Sequence, residues 1–172
     1  MIHNEFVLFL KKYNIYDEEI YRYYLENANS FDYYNDDFLR NFIGCSLIID
    51  NKRNGLKQII PTVPYPVDDV TTLINIHEYV HLFSIYNKLG KKYKKEISEE
   101  VLPIFYEKLF VLENGNSNLN NYEKQLDEIA LKENDERYLL ALKISQYLLD
   151  SLNVFTFNEL VKVVKKVRKK IR

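Results

Sequence analysis

His77-Glu78-Tyr79-Val80-His81 is the stretch of this 172-residue chain whose residue types and spacing can do chemistry. Histidines four apart on a helix share one face, so both imidazoles can reach one ion at about 2.0–2.1 Å. Glu78 is turned by about 100° from His77, which sets its carboxylate beside the ligand pair and off the ion. From there it can take a proton from an attacking water and later hand it to a leaving amine, while the ion acidifies that water. The chain has only three histidines, and two of them stand in this H-E-x-x-H. Their face is otherwise apolar, with Val70, Leu73 and Ile74, so unmetallated imidazoles there would need other partners. The plainer alternative is two structural histidines around an ordinary helical glutamate; the spacing favours a metal site. His3, isolated near the N-terminus, reads as a surface residue.

A catalytic zinc site uses three protein ligands and keeps a fourth position open. No histidine follows His81, and Cys45 is the only cysteine, which excludes an internal disulfide and a cysteine cage. Carboxylates of the next helical segment are then the natural source of the third ligand, with Glu96, Glu99, Glu100 and Glu107 as candidates. Glu107 falls on the face of Glu100, two turns on. It can orient a ligand histidine, or pair in solvent with Lys108 or Lys94.

The stretch from Val70 to Glu107 resembles the catalytic core of the oligopeptidase family of gluzincins, the thimet oligopeptidase and oligoendopeptidase F group. Thr72-Leu73 ahead of H-E-x-x-H matches one feature of that family; Glu100, followed by Pro103 and by Glu107 seven residues on, matches another. The resemblance covers a quarter to a third of the chain. It implies a Zn2+ metallopeptidase with His77, His81 and Glu100 as ligands and Glu78 as the catalytic base. It also implies that an edge strand ahead of the motif, here Leu56–Tyr65, pairs with an extended peptide substrate. The family's Gly-Tyr-Tyr-type motif, which supplies transition-state hydroxyls, has no counterpart; Tyr122, Tyr138 and Tyr147 are possible substitutes.

Several elements must position these groups. Residues 2–12, 17–27 and 35–43 read as short helices, the first two opened by Asn or acids. Cys45–Asp50 and Leu56–Val63 are apolar runs around Asn51–Gly55, which ends in Asn-Gly, a hairpin signal. Pro61, Pro64 and Pro66 cannot donate to a ladder, which puts the second strand at a sheet edge. A long helix is expected from Asp68 or Asp69 to about Leu89, stopped at Gly90. A helix from Ser98 to about Glu113 follows, with Pro103 in its first turn. Residues 114–121 read as a loop by composition, and helices are expected over 122–133, 135–151 and 156–170.

Composition fits one ordinary globular domain over residues 1–172, at 47% hydrophobic and 28% charged residues and a net charge of −1. That balance hides an asymmetry: seven basic and no acidic side chains lie between Lys162 and Arg172, leaving 17 basic against 25 acidic residues elsewhere. The tail has a helical apolar stripe (Leu160, Val161, Val164, Val167, Ile171) and is expected to dock on the acidic body, with no nucleic-acid partner. No signal peptide or membrane-length apolar run is evident, so a cytoplasmic protein is expected. The expected fold is mainly α, a minimal zincin-like helical domain with a small β-hairpin or edge strand before the metal-binding helix. The expected activity is zinc-dependent hydrolysis of short or extended peptides. A non-catalytic zinc-binding or interaction protein, and a protease dedicated to one protein partner, are the alternatives.

Overall fold

The structure, a computed structural model, describes residues 2–31, 45–50, 57–64, 68–87, 97–133, 136–151 and 156–171. These residues are mainly helical. Seven helices lie among them: α1 (Ile2–Lys12), α2 (Glu18–Asn27), α3 (Asp69–Tyr86), α4 (Ile97–Asn114), α5 (Ser117–Glu133), α6 (Glu136–Asp150) and α7 (Phe157–Ile171). The expected helix over 35–43 and the Asn-Gly turn fall outside the described residues.

Local chemistry explains where several helices begin. Asp17 opens α2, its carboxylate accepting from the backbone N–H of Glu19 and Ile20 at 2.9 and 3.0 Å. Asp68 caps α3 reciprocally with Thr71: Thr71 N–H donates to Asp68 Oδ1 at 2.9 Å, and Asp68 N–H donates to Thr71 Oγ1 at 3.0 Å. Thr156 and Glu159 form the same kind of box at α7, with Thr156 N–H donating to Glu159 Oε2 at 2.8 Å. The expected loop over 114–121 is corrected. Asn116 accepts from Leu119 N–H at 2.9 Å, so α5 starts at Ser117, and the polar run that reads as a loop is a cap plus the first turn of a helix. Helix α4 starts at Ile97, so Pro103 lies in its second turn, one turn deeper than expected. The missing N–H of Pro103 leaves the carbonyl of Glu99 without its helical donor.

Three short strands, β1 (Asn29–Phe31), β2 (Cys45–Asp50) and β3 (Lys57–Pro64), pair in the order β1-β3-β2. β2 and β3 run antiparallel from Cys45↔Thr62 to Asp50↔Lys57, and β1 runs parallel to β3 from Asn29↔Thr62 to Phe31↔Pro64. The strand expected at an edge is therefore the middle one. Proline tolerates this place because the two ladders overlap only at Thr62. Pro61 flanks the β2 ladder alone and Pro64 the β1 ladder alone, so neither residue needs hydrogen bonds on both sides.

The core forms where α3 and α4 pack on each other, with α1 and α2 against α3 and α6 against α4. On α3, Ile76, Val80 and Leu82 are fully buried, and on α4 so are Val101, Ile104 and Phe105. Ser145 of α6 donates to the backbone carbonyl of Val101 at 2.8 Å, which fixes α6 along α4. Helix α7 docks through Phe157, Leu160, Val161 and Val164, all buried, and Phe157 meets Phe83 edge-on at 4.9 Å. No helix among the described residues is long and apolar enough to cross a membrane.

Candidate metal centre

Helix α3 runs unbroken through the H-E-x-x-H segment, so His77 and His81 stand one turn apart on the face that α4 covers. Their Nε2 atoms are 3.1 Å apart, with the rings inclined at 67°. Glu100, in the first turn of α4, brings Oε2 to 3.3 Å from His77 Nε2 and 3.5 Å from His81 Nε2. Two turns further along α4, Glu107 places Oε2 at 3.1 Å from His77 Nδ1. His77 is thus engaged at both nitrogens. Donation from Nδ1 to Glu107 leaves the Nε2 lone pair facing His81 and Glu100, the tautomer a metal ligand needs.

The donor triangle passes a geometric test. Ligands at about 2.0–2.1 Å in tetrahedral positions are separated by about 3.3–3.4 Å. The three observed separations are 3.1, 3.3 and 3.5 Å. Two imidazoles and one carboxylate also suit zinc in type. His77, His81 and Glu100 are the one such group of three or more metal-ligating side chains among the described residues, and they can hold a metal ion.

Electrostatics point the same way. Burial works against charge on His77, but Glu107, Glu100 and Glu78 outweigh it and lift its imidazole well above the ordinary value. Burial likewise works against a charged Glu100, yet its hydrogen bonds to His77 and His81 hold its carboxyl far below the usual carboxylate range. These carboxylates surround His77 with negative charge, an arrangement that favours a cation there, whether a proton or a metal ion. The side chains are mostly enclosed: His77 is 14% exposed, His81 16% and Glu100 32%. Glu78 is buried on the same helix, on a side from which its charge is felt by Tyr24 of α2.

The other candidates separate clearly. Glu96 and the side chain of Glu99 lie outside what the structure describes. Glu107 does not pair with Lys108, which turns away to Glu123 and Asp127 of α5. Among the tyrosines, Tyr147 points outward at 55% exposure, and Tyr122 is half-buried on α5. Tyr138 of α6 lies within the field of the site: burial first, then Glu107 and Glu100, raise its hydroxyl pKa strongly. The α5 carboxylates escaped the sequence reading, although Glu123 and Asp127 stand four apart and so share one helical face. No family model matches this chain, and no curated protein or solved structure is significantly similar to it.

Proposed function

We propose that this chain is a zinc-dependent metallopeptidase of the gluzincin type, built as a minimal zincin. The observation that supports it best is the donor triangle of His77, His81 and Glu100, buttressed by Glu107 on the far nitrogen of His77. Thr72-Leu73, Glu100, Pro103 and Glu107 add the resemblance to the oligopeptidase family. A bound zinc ion supplies Lewis-acid polarisation of a carbonyl and lowers the pKa of water toward neutrality. The chain's own groups do the rest. His77, His81 and Glu100 would hold the cation with two neutral rings and one carboxylate, a donor set that would leave net positive charge to attract an oxygen. Glu78 takes one proton from water as the water oxygen bonds to the scissile carbonyl carbon. It returns that proton to the nitrogen as the C–N bond breaks, so the carboxylate ends as it began. Enclosure strengthens each of these interactions by excluding competing solvent.

Glu78→Gln tests this reading, because it removes the proton acceptor and keeps the volume. The variant is expected to retain zinc and the helical fold and to lose at least a hundredfold in peptide cleavage. Equal cleavage of a mixed peptide library by variant and parent would show that Glu78 is not the base.

A further inference from the structure

Lys108 is a buried cation that the proposed chemistry does not use. Its side chain is 11% exposed, and Nζ lies 2.7 Å from Glu123 Oε1 and 3.6 Å from Asp127 Oδ2. Lysine is seldom buried unless paired, and an apolar side chain would fill such a place without the desolvation penalty. Its neighbour Glu107, turned by about 100°, reaches another side of the helix, to His77. At this turn α4 is therefore gripped from two directions, toward α3 by Glu107 and toward α5 by Lys108.

Glu100 and Glu107 are seven residues apart and share nearly one face, so a roll of α4 displaces both carboxylates together. A roll of about 10° moves a glutamate carboxylate on the order of 1 Å, given a helix radius with side chains of about 5–6 Å. Metal–ligand distances tolerate about 0.2 Å. A small loss of rotational control would thus be felt at the metal. Charge balance adds to this. Burial raises the Asp127 carboxyl, and Glu123 and Glu107 add to the rise, while Lys108 opposes it as the counter-ion of this acidic cluster.

We propose that Lys108, clamped by Glu123 and Asp127, is a positioning residue that sets the roll of α4 and so holds Glu107 and Glu100 in place for the metal. This rests on the metal reading of the His77, His81 and Glu100 site. The test is zinc affinity of the full chain, measured by competition with a chromophoric chelator at a temperature where circular dichroism shows each variant folded. Lys108→Met is expected to weaken zinc binding at least fivefold, and Lys108→Arg to stay within about twofold of the parent. Glu107→Gln is expected to weaken it tenfold or more. The double variant K108M/E107Q should lose less than the product of the two single losses, because both changes act on one arrangement.

A merely structural ion pair would lower the melting temperature of K108M and leave affinity unchanged, and that result overturns the proposal. So does full multiplicativity in the double variant. Should K108M fail to fold, the paired change Glu123→Gln with Asp127→Asn removes the clamp from the other side and carries the same expectation. A parent protein that takes up no zinc overturns the metal reading, and this proposal with it. A parent that binds zinc while K108M binds equally well overturns the proposal alone.

Discussion

The two long sides of α3 solve opposite problems with the same backbone. Toward α1 and α2 it presents Tyr79, which meets Phe6 edge-on at 5.8 Å and Tyr24 at 5.6 Å in a buried aromatic cluster. Most of these rings need only area and shape, and the polar tips are answered locally. Tyr79 Oη accepts from Asp17 N–H at 3.3 Å, and Tyr24 donates to Asn75 Oδ1 at 2.6 Å. Toward α4 the helix presents His77 and His81, where Glu100 and Glu107 bring their carboxylates to the imidazole nitrogens. The aromatic side holds the helix in the fold; the histidine side brings together a group that can hold an ion. Stability and metal affinity should therefore be separable by mutation.

Removing both imidazoles has the largest expected effect. The purified protein should carry about one zinc per chain, and His77→Ala with His81→Ala should abolish retention, since one carboxylate cannot replace two imidazole ligands. Metal analysis that still finds stoichiometric zinc in the double variant would place the ion elsewhere. Next comes Phe6→Ala on the other side. Phe6 is 1% exposed and touches Tyr21, Tyr24 and Tyr79, so truncation should cost about 3–5 kcal/mol of unfolding free energy. Urea denaturation of the metal-free protein measures that loss. Zinc affinity of the folded variant should stay within about threefold of the parent. A large drop in affinity would show that the two sides of α3 are coupled.

Much of this division could be read from sequence, for identifiable reasons. The i, i+4 period places His77 and His81 together whatever surrounds them, and Asp68 and Thr71 at the start of α3 are a local pairing. Local signals failed where one chemistry serves two structures. Asn116-Ser117 has loop composition, yet Asn and Ser are also what a helix start requires, and Asn116 is a cap. The place of β3 depended on β1, three residues far away in sequence whose parallel pairing leaves no local trace. The Lys108 clamp was hidden for a related reason. Glu123 and Asp127 on a polar helix look like a solvated face until α5 is laid against α4. The zinc-ligand candidates reach between helices as well; spacing left four glutamates open there, and only the resemblance to the oligopeptidase family singled out Glu100.

Asp17→Ala is the finest probe of the comparison, because Asp17 serves the aromatic side in two ways that the substitution splits. Its carboxylate accepts from Glu19 N–H at 2.9 Å and Ile20 N–H at 3.0 Å, closing two donors at the mouth of α2. Its own backbone N–H donates to Tyr79 Oη at 3.3 Å, which ties the start of α2 to α3. Alanine removes the first function and keeps the second, since the backbone donor does not depend on the side chain. The expected loss is that of a helix cap, about 1 kcal/mol. The negative charge near the α2 N-terminus is lost at the same time, which adds a few tenths of a kcal/mol at low salt. The cost should therefore shrink slightly as salt is added, and zinc affinity should not move. A loss of about 3 kcal/mol or more would mean that the cap also holds Tyr79 in the aromatic cluster. The carboxylate of α2 would then help place the helix that carries the histidines.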